Sequence, residues 1–275
     1  MQIEKLVVIK IGGNIVDDKN ALSDFLSTFA TLAKSREDTA LILVHGGGKI
    51  ATKIGNQLGI ESKYVDGRRI TDDATIDLVT MVYGGLANKQ IVAQLQANGC
   101  NALGLTGADA NIMLANKRPV KSDANGNPLD YGWVGDVQQK GVNSEILYTL
   151  IQAGITPVLA PLTHDGKGHI LNTNADTIAQ ETAKALSEKF EVHLIYSFEK
   201  PGVLLDAEDD STVIDILQPA YYASLKAEQK IFAGMIPKLD NAFAALNNGV
   251  AKVIIGKAEK LPLLLSGESG TSIIL

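Results

Sequence analysis

A lysine followed by two glycines is the first group of residues in the chain that could do chemistry. Lys10 stands near the carboxyl end of the apolar, largely β-branched run Leu6–Ile9, and Gly12 and Gly13 follow it closely. Such a run predicts a buried strand, and the segment Asp18–Lys34 predicts a helix. Glycine lets a backbone approach a ligand, and a helix amino terminus behind it offers N–H groups to an anion. The pattern indicates an anion site with a lysine beside it, although a strand-end lysine that extends into water is the simpler explanation of Lys10 alone.

A second glycine turn follows the next apolar run. Leu41–Val44 predicts another buried strand, His45–Gly48 reads HGGG, and Lys49–Leu58 predicts a helix. The stretch Gly46–Ala51 also matches the G-x-G-x-x-A dinucleotide pattern, so an NAD(P) oxidoreductase is a rival hypothesis. No G-x-x-x-x-G-K-[ST] motif and no G-x-S-x-G motif occurs, which excludes a P-loop enzyme and the nucleophile elbow of an esterase.

Strand-like and helix-like segments alternate along the rest of the chain, which predicts a parallel sheet between helices. Ligands of such sheets bind at the carboxyl ends of the strands. Further strands are predicted at Ala102–Leu105, Ile155–Ala160, Val192–Tyr196, Val250–Gly256 and Ser272–Leu275, and further helices at Asp73–Asn98 (interrupted by Gly84-Gly85), Ser144–Ala153, Asn172–Leu186 and Met235–Asn248.

Composition narrows the function classes. The 275 residues carry a net charge of −6, which argues against a nucleic-acid partner or a membrane surface. One cysteine, Cys100, excludes an intramolecular disulfide and a zinc cluster. The first residues show no signal-peptide pattern and no apolar run is of membrane-spanning length, so we expect a cytoplasmic protein.

Taken in order, the motifs resemble those of the amino acid kinase family. They are K-x-G-G at Lys10–Gly13, HGGG at His45–Gly48, Gly67–Thr71, Gly84–Lys89, N-x-N-A-D at Asn172–Asp176 and Ala233–Lys238. The resemblance covers nearly the whole chain. It implies an α/β fold, a three-layer αβα sandwich with an open, mainly parallel sheet. It also implies two lobes, 1–172 for acceptor binding and dimerisation and 173–275 for the nucleotide.

Within that family the resemblance implies phosphorylation of the γ-carboxylate of N-acetyl-L-glutamate, or a related N-acylglutamate, by ATP with Mg²⁺, in arginine biosynthesis. Such a reaction needs no general base, because a carboxylate is already ionised at neutral pH. It needs positive charge and positioning. By the resemblance, Lys10 and Lys238 supply the charge and Asp176 holds both lysines.

The remaining site residues also follow from the resemblance. Gly12, Gly13, Ser197 and Gly202 are expected to bind ATP and its phosphates. Gly46, Gly47, Gly48, Arg69 and Asn172 are expected to bind the acceptor, with Arg69 gripping its α-carboxylate. Mg²⁺ is expected on the phosphates and water, with no metal site on the protein. The segment Ser197–Val203 departs from the family's Ser/Thr-Asp-Val-x-Gly-Val loop, since Phe198 stands where the aspartate is expected.

Alternatives stay open at this stage. Lys238 could be solvated, Asp176 could serve only as a helix cap, and Arg69 could pair with Asp72 or Asp73. A sister carboxylate or carbamate kinase and a non-catalytic nucleotide or amino-acid sensor are the alternative functions.

The expected assembly follows from the amino terminus. Arginine-inhibited members of the family carry a helix before the first strand that links dimers into a hexamer. Only Met1–Lys5 precede Leu6 here, and five residues form no stable helix. We therefore expect a homodimer that is indifferent to arginine.

Overall fold

A single eight-stranded sheet forms the centre of the protein. The computed structural model describes residues 3–36, 38–65, 68–122, 126–231 and 235–275. The strands are β1 (Lys5–Ile11), β2 (Thr39–His45), β3 (Tyr64–Val65), β4 (Arg68–Arg69), β5 (Ala102–Leu105), β6 (Met113–Lys117), β7 (Lys121–Ser122), β8 (Pro128–Leu129), β9 (Gly135–Val142), β10 (Thr156–Leu159), β11 (Leu162–His164), β12 (Ile170–Asn172), β13 (Glu191–Phe198), β14 (Ile216–Leu217), β15 (Lys252–Lys257) and β16 (Thr271–Ile273). The central sheet has the order β14-β16-β15-β13-β1-β2-β10-β5, and its pairs are parallel except β15 with β16. A smaller sheet has the order β12-β11-β6-β9.

Helices connect these strands. They are α1 (Gly13–Val16), α2 (Lys19–Ser35), α3 (Gly48–Gln57), α4 (Asp73–Val79), α5 (Asn88–Ala97), α6 (Ser144–Gln152), α7 (Ala175–Leu186), α8 (Pro219–Ala227), α9 (Ile236–Leu246) and α10 (Leu261–Ser266), with a π-helix over Thr80–Ala87 and 3₁₀ turns over Asp109–Asn111, Asp210–Thr212 and Ala258–Lys260. None of the helices in the described ranges is long and apolar enough to span a membrane.

Two apolar cores lie on opposite faces of the sheet. Leu6 and Val8 of β1 belong to one core, with residues of α6, α7 and α9. Val7 and Ile9 belong to the other, with residues of α2, α5 and α10. Alternate residues of a strand point to opposite faces, so a strand buried on both faces must be apolar throughout, as this one is. The αβα sandwich with a mainly parallel sheet is therefore confirmed.

β1 occupies the middle of the sheet and pairs in parallel with β2 and β13. Lys10 stands opposite Val44 of β2 and Tyr196 of β13, so the carboxyl ends of all three strands meet at one edge. Strands from residues before 173 lie on the β1 side of the β1–β13 pair, and strands from later residues lie on the other side. The proposed lobe boundary near residue 172 is compatible with this order and stays a prediction.

The long helix predicted over Asp73–Asn98 differs in form. The segment is helical, but its middle, Thr80–Ala87, is a π-helix. Gly84 lies inside it, and a Cβ there would approach Leu162 and Thr106 at 3.3 Å. The wider turn of the π-helix thus occurs where this segment packs closely against the smaller sheet. Such packing between distant segments cannot be read from a local sequence pattern. Elsewhere, predicted helices and strands occur with shifts of a few residues at their ends. Gly67, Ala233 and Gly234 of the family-like motifs lie outside the described residues.

Candidate active site

One carboxylate lies between two lysines at the carboxyl edge of the sheet. Asp176 Oδ1 is 2.8 Å from Lys10 Nζ, and Asp176 Oδ2 is 3.0 Å from Lys238 Nζ. The three side chains are 23%, 14% and 31% exposed, respectively. Each lysine therefore contacts Asp176 and also lines a cavity. The two ammonium groups are thus available to an anionic ligand that binds there.

Local structure sets these positions. Asn174 caps α7, because its side chain accepts a hydrogen bond from the Asp176 amide at 2.7 Å. Asp176 is thus in the first turn of α7 and is not itself the cap. Lys238 lies in the first turn of α9 beside Pro237, which that position tolerates. Its ammonium is also 5.7 Å from the centre of the Phe198 ring.

The charge state of Asp176 follows from competing effects. Burial raises the pKa of its carboxyl group, whereas the charges of Lys10 and Lys238 and their hydrogen bonds lower it. The lysines prevail, and the pKa lies below the ordinary value for aspartate. The carboxylate is therefore ionised at neutral pH and cannot act as a proton donor there.

The two glycine turns lie side by side above this group. The Gly46 amide donates to the Ile11 carbonyl at 3.1 Å, which joins the turn after β2 to the turn after β1. Gly47 packs under Tyr83, whose ring atoms would be 3.0 Å from a Cβ at that position. Gly48 has open space where a side chain would stand. Glycine at these positions keeps the space over the turns free for a ligand.

His45 stabilises the second glycine turn through hydrogen bonds. It is fully buried, its Nδ1–H donates to the Gly46 carbonyl at 2.7 Å, and its Nε2 accepts from the Asn88 amide at 3.1 Å. A carbonyl can only accept and an amide nitrogen can only donate, so these contacts fix the tautomer. Lys89 in turn donates to Asn88 Oδ1 at 3.1 Å and to the Gly104 carbonyl at 2.8 Å. Burial lowers the pKa of His45 to about 4.

Arg69 forms part of the wall of the site. The residue is 7% exposed, and its Nη2 donates to the Gly48 carbonyl and to Thr52 Oγ1, both at 2.9 Å. Its Nη1 donates to Ser62 Oγ, and the guanidinium lies over the Tyr64 ring. Arg69 therefore does not pair with Asp72 or Asp73, and its plane is held against the second glycine turn.

Asn172 approaches the same space from the end of β12. Its amide nitrogen donates a hydrogen bond to Thr71 Oγ1 at 3.0 Å. This contact between distant parts of the chain fixes the orientation of the Asn172 side chain. The residue lies next to the Asn174 cap and lines the same cavity as Arg69.

Two adjoining cavities contain most of the predicted residues. The first, of about 630 Å³, is lined among others by Gly46, Gly47, Gly48, Arg69, Asn172, Asp176 and Lys238. The second, of about 700 Å³, is lined among others by Lys10, Gly12, Gly13, Gly46, Gly47 and Gly48. Because the glycines of the HGGG turn line both, the cavities meet over that turn. The structure thus brings together ten of the twelve residues that the sequence analysis selected.

Ser197 and Gly202 are the two that line neither cavity. Ser197 is buried in β13, and its hydroxyl has no hydrogen-bond partner among the described residues. Gly202 is closely packed, since a Cβ there would be 2.6 Å from Thr271 Oγ1 and 2.8 Å from a Val213 methyl. Their nucleotide role stays a prediction.

Two further residues were missed by sequence reasoning. Tyr83 lines the first cavity between Gly47 and Arg69, and burial raises its pKa. Arg118 also lines it, pairs with Asp136 through Nε at 3.1 Å, and keeps a buried Nη1 without a hydrogen-bond partner in the described chain. A π-helix and a β-strand pairing place them, and neither has a local sequence signal.

Comparison of the sequence with known proteins identifies the family to which this chain belongs. Residues 5–257 match the model of the amino acid kinase family, which spans most of the chain. The chain belongs to the amino acid kinase family. A protein of Cytophaga hutchinsonii named acetylglutamate kinase is 57% identical over 96% of both chains. One of Bacteroides fragilis with the same name is 55% identical over 94% of both.

A solved structure supports the fold of this family member. The N-acetylglutamate synthase of Neisseria gonorrhoeae, complexed with coenzyme A and N-acetyl-glutamate, matches with a TM-score of 0.79 at 21% identity. The match covers all of this chain and 60% of that one. At 21% identity this match is evidence for the fold and not for the function.

The buried His45 makes stability depend on pH. Its pKa is about 4 in the folded protein and about 6.5 when unfolded, so between these values the unfolded chain binds the extra proton. The contribution of neutral His45 to the free energy of unfolding is therefore complete above about pH 6.5, and it is lost as the pH falls towards the folded pKa of about 4. We expect wild-type protein to lose about 2 kcal/mol more unfolding free energy than His45→Gln between about pH 7.5 and about pH 5.

Urea unfolding at both pH values measures this difference. Subtracting the variant removes the contributions of His193 and of the carboxylates, which both proteins share. An equal pH dependence in the two proteins would show that His45 is protonated in the folded state or accessible to water.

Proposed function

We propose that the protein is an acetylglutamate kinase, which transfers the γ-phosphoryl group of ATP to the γ-carboxylate of N-acetyl-L-glutamate or a related N-acylglutamate. The observation that carries this proposal is Asp176 held between Lys10 and Lys238 beneath two adjoining glycine turns. The relatives that share 57% and 55% of their residues with this chain carry that name, which supports the same choice of acceptor.

The chemistry suits a site without a general base. A carboxylate acceptor is ionised at neutral pH and attacks phosphorus without losing a proton. Phosphoryl transfer then depends on positioning and on stabilising the charge spread over the equatorial oxygens. Lys10 and Lys238 supply positive charge, and the N–H groups of the glycine turns supply dipoles. His45 is buried and neutral, so it positions the turn and exchanges no proton.

The acceptor fits the part of the first cavity near Arg69 and Asn172. Arg69 would take the α-carboxylate and Asn172 would hydrogen-bond the acyl-amide group, which points the γ-carboxylate towards the HGGG turn and the lysines. Tyr83 closes the wall beneath Gly47. The acyl group would extend towards Val134 and Arg118, which line the same cavity.

The nucleotide would lie on the side of residues 173–275, with its phosphates over Gly12 and Gly13. Ser197 and Gly202 would face the ribose and adenine end. The described residues contain no group of three or more His, Cys, Asp or Glu side chains suited to a metal. Asp176 is bound to two lysines and Glu181 to Lys184 at 2.9 Å, so the donor set fits a Mg²⁺ held by phosphate and water. A Mg²⁺ ion held in this way would neutralise part of the phosphate charge.

Assembly and location belong to the same proposal. Met81 and Leu86 of the π-helix and Leu103 of the edge strand β5 are exposed apolar side chains, which supports a homodimer through this end of the sheet. The cytoplasmic location and the indifference to arginine also stay predictions. Light scattering together with rates at millimolar arginine would test the assembly and the regulation.

An assay of ADP release tests the proposed function. Wild-type protein with MgATP should turn over N-acetyl-L-glutamate and give a hydroxamate when hydroxylamine traps the acyl phosphate. A panel that includes N-succinyl-L-glutamate and free L-glutamate identifies the acyl group. Turnover of carbamate and not of any acylglutamate would instead support the sister kinase, and nucleotide binding without turnover would support a sensor.

The two lysines should act mainly on the rate. We expect Lys10→Ala and Lys238→Ala each to lower kcat about a hundredfold, on the order of 3 kcal/mol, with a small change in the acceptor KM, because a preorganised charge at the transferring group is lost. Lys226→Ala, which removes an exposed lysine paired with Asp240, is the control. Near-normal turnover by either site variant would rule out this mechanism.

Arg69 should act on the acceptor. Lysine keeps the charge but cannot reproduce the planar contacts with Gly48, Thr52 and Ser62 or a two-point grip on a carboxylate. We expect Arg69→Lys to raise the acceptor KM about tenfold or more and to leave the ATP KM nearly unchanged. Arg36→Lys, which makes the same exchange at an arginine that lines neither cavity, is the matched control. A rise confined to the ATP KM would assign Arg69 to the nucleotide.

A further inference from the structure

A third lysine lies over the first glycine turn. Lys49 is in the first turn of α3, and its Cδ is 3.9 Å from the point where a Cβ on Gly13 would stand. The side chain therefore crosses from the second glycine turn to the first. Lys49 and Lys53 line the second cavity together with Lys10, Gly12 and Gly13.

No carboxylate neutralises this lysine closely. In the described part of the chain Lys49 forms no ion pair within 4.0 Å and no side-chain hydrogen bond, and its residue is exposed. The acid that acts on it is Asp17, whose Oδ2 lies 2.8 Å from the same point above Gly13. Asp17 has two buried carboxylate oxygens that meet no hydrogen-bond partner among the described residues. The Asp17 carboxylate and the Lys49 stem therefore lie on the same side of Gly13, and Lys49 lines the second cavity there.

The charges of the site make room for such a group. Lys10 and Lys238 share Asp176, so this trio carries a net charge of only about +1. The Mg²⁺ complex of a nucleoside triphosphate carries about −2, and the acceptor carboxylate adds a further negative charge. The ammonium group of Lys49 would reduce this deficit beside Gly13, where the phosphate chain must lie, and the Asp17 carboxylate on the same side of Gly13 is the charge that opposes it.

We propose that Lys49 is a further phosphate-binding lysine, which contacts the β- or γ-phosphoryl oxygens of the nucleotide above Gly12 and Gly13. This inference rests on the proposed function for the position of the nucleotide. It assigns to Lys49 a contact with the polyphosphate and none with the adenine, the ribose or the acylglutamate.

Calorimetry with the non-hydrolysable analogue Mg-AMP-PNP tests the contact without turnover. We expect Lys49→Gln to raise the Kd of Mg-AMP-PNP about tenfold and to leave the Kd of AMP, which lacks both distal phosphates, unchanged. Lys49→Arg, which keeps the charge, should recover most of the affinity. In the kinetic assay the ATP KM should rise in Lys49→Gln while the acceptor KM stays constant.

Lys19→Gln is the charge-matched control, because Lys19 is an exposed lysine at the start of α2 and lines neither cavity. It should bind Mg-AMP-PNP as the wild type does. Equal affinity of Lys49→Gln and wild type for Mg-AMP-PNP would overturn the inference, and so would an equal loss for AMP and Mg-AMP-PNP. Wild-type protein that binds Mg-AMP-PNP but phosphorylates no acylglutamate would overturn the proposed function and leave the test of Lys49 valid. Wild-type protein that binds no nucleotide would overturn both.

Discussion

The ion pairs of Asp176 with Lys10 and Lys238 are the interaction on which the site depends. They connect the first strand, the helix α7 and the helix α9, three elements from distant parts of the chain. A half-buried ammonium without a partner would tend to lose its proton or turn to solvent. One carboxylate that contacts a lysine through each of its oxygens holds both lysines at fixed positions, while its single negative charge cannot cancel two positive ones. The surplus charge faces the cavity.

The same arrangement constrains the backbone around it. The carboxylate must enter from the first turn of α7, so the chain needs a helix that begins there, and Asn174 provides the cap. The glycine turns must come within reach of the lysines without covering them. The hydrogen bond from Gly46 to Ile11 and the buried His45 below it hold the second turn against the first. The charged side chains of the site therefore come from β1, α7 and α9, and the backbone N–H dipoles come from the two glycine turns.

Much of this could be predicted from the sequence, and the reasons are local. The apolar runs of β1 and β2, the glycines that follow them and the Asn174-Ala175-Asp176 cap each have a signature within a few residues. Parallel strands then bring those signatures to one edge. Tyr83 and Arg118 could not be predicted, since a π-helix and the pairing of β6 with β9 place them, and both depend on packing between distant segments. The partners of Arg69 escaped prediction for the same reason, because Ser62, Thr52 and the Gly48 carbonyl meet only in the folded chain. For Ser197 and Gly202 the nucleotide role stays a prediction, because a motif match cannot distinguish a ligand contact from the close packing that Gly202 makes with Thr271.

The alternation of β1 explains why the lysine, and not a neighbouring residue, reaches the site. Leu6 and Val8 lie in the core shared with α7 and α9, and Val7 and Ile9 lie in the opposite core. Lys10 has the parity of Leu6 and Val8, so its side chain leaves the sheet on the α7 side, just beyond the point where the apolar core ends. A shift of one residue would direct the ammonium to the opposite face, away from Asp176. The position of the lysine in an otherwise apolar strand is thus fixed by strand geometry, and the carboxylate on α7 makes that position tolerable.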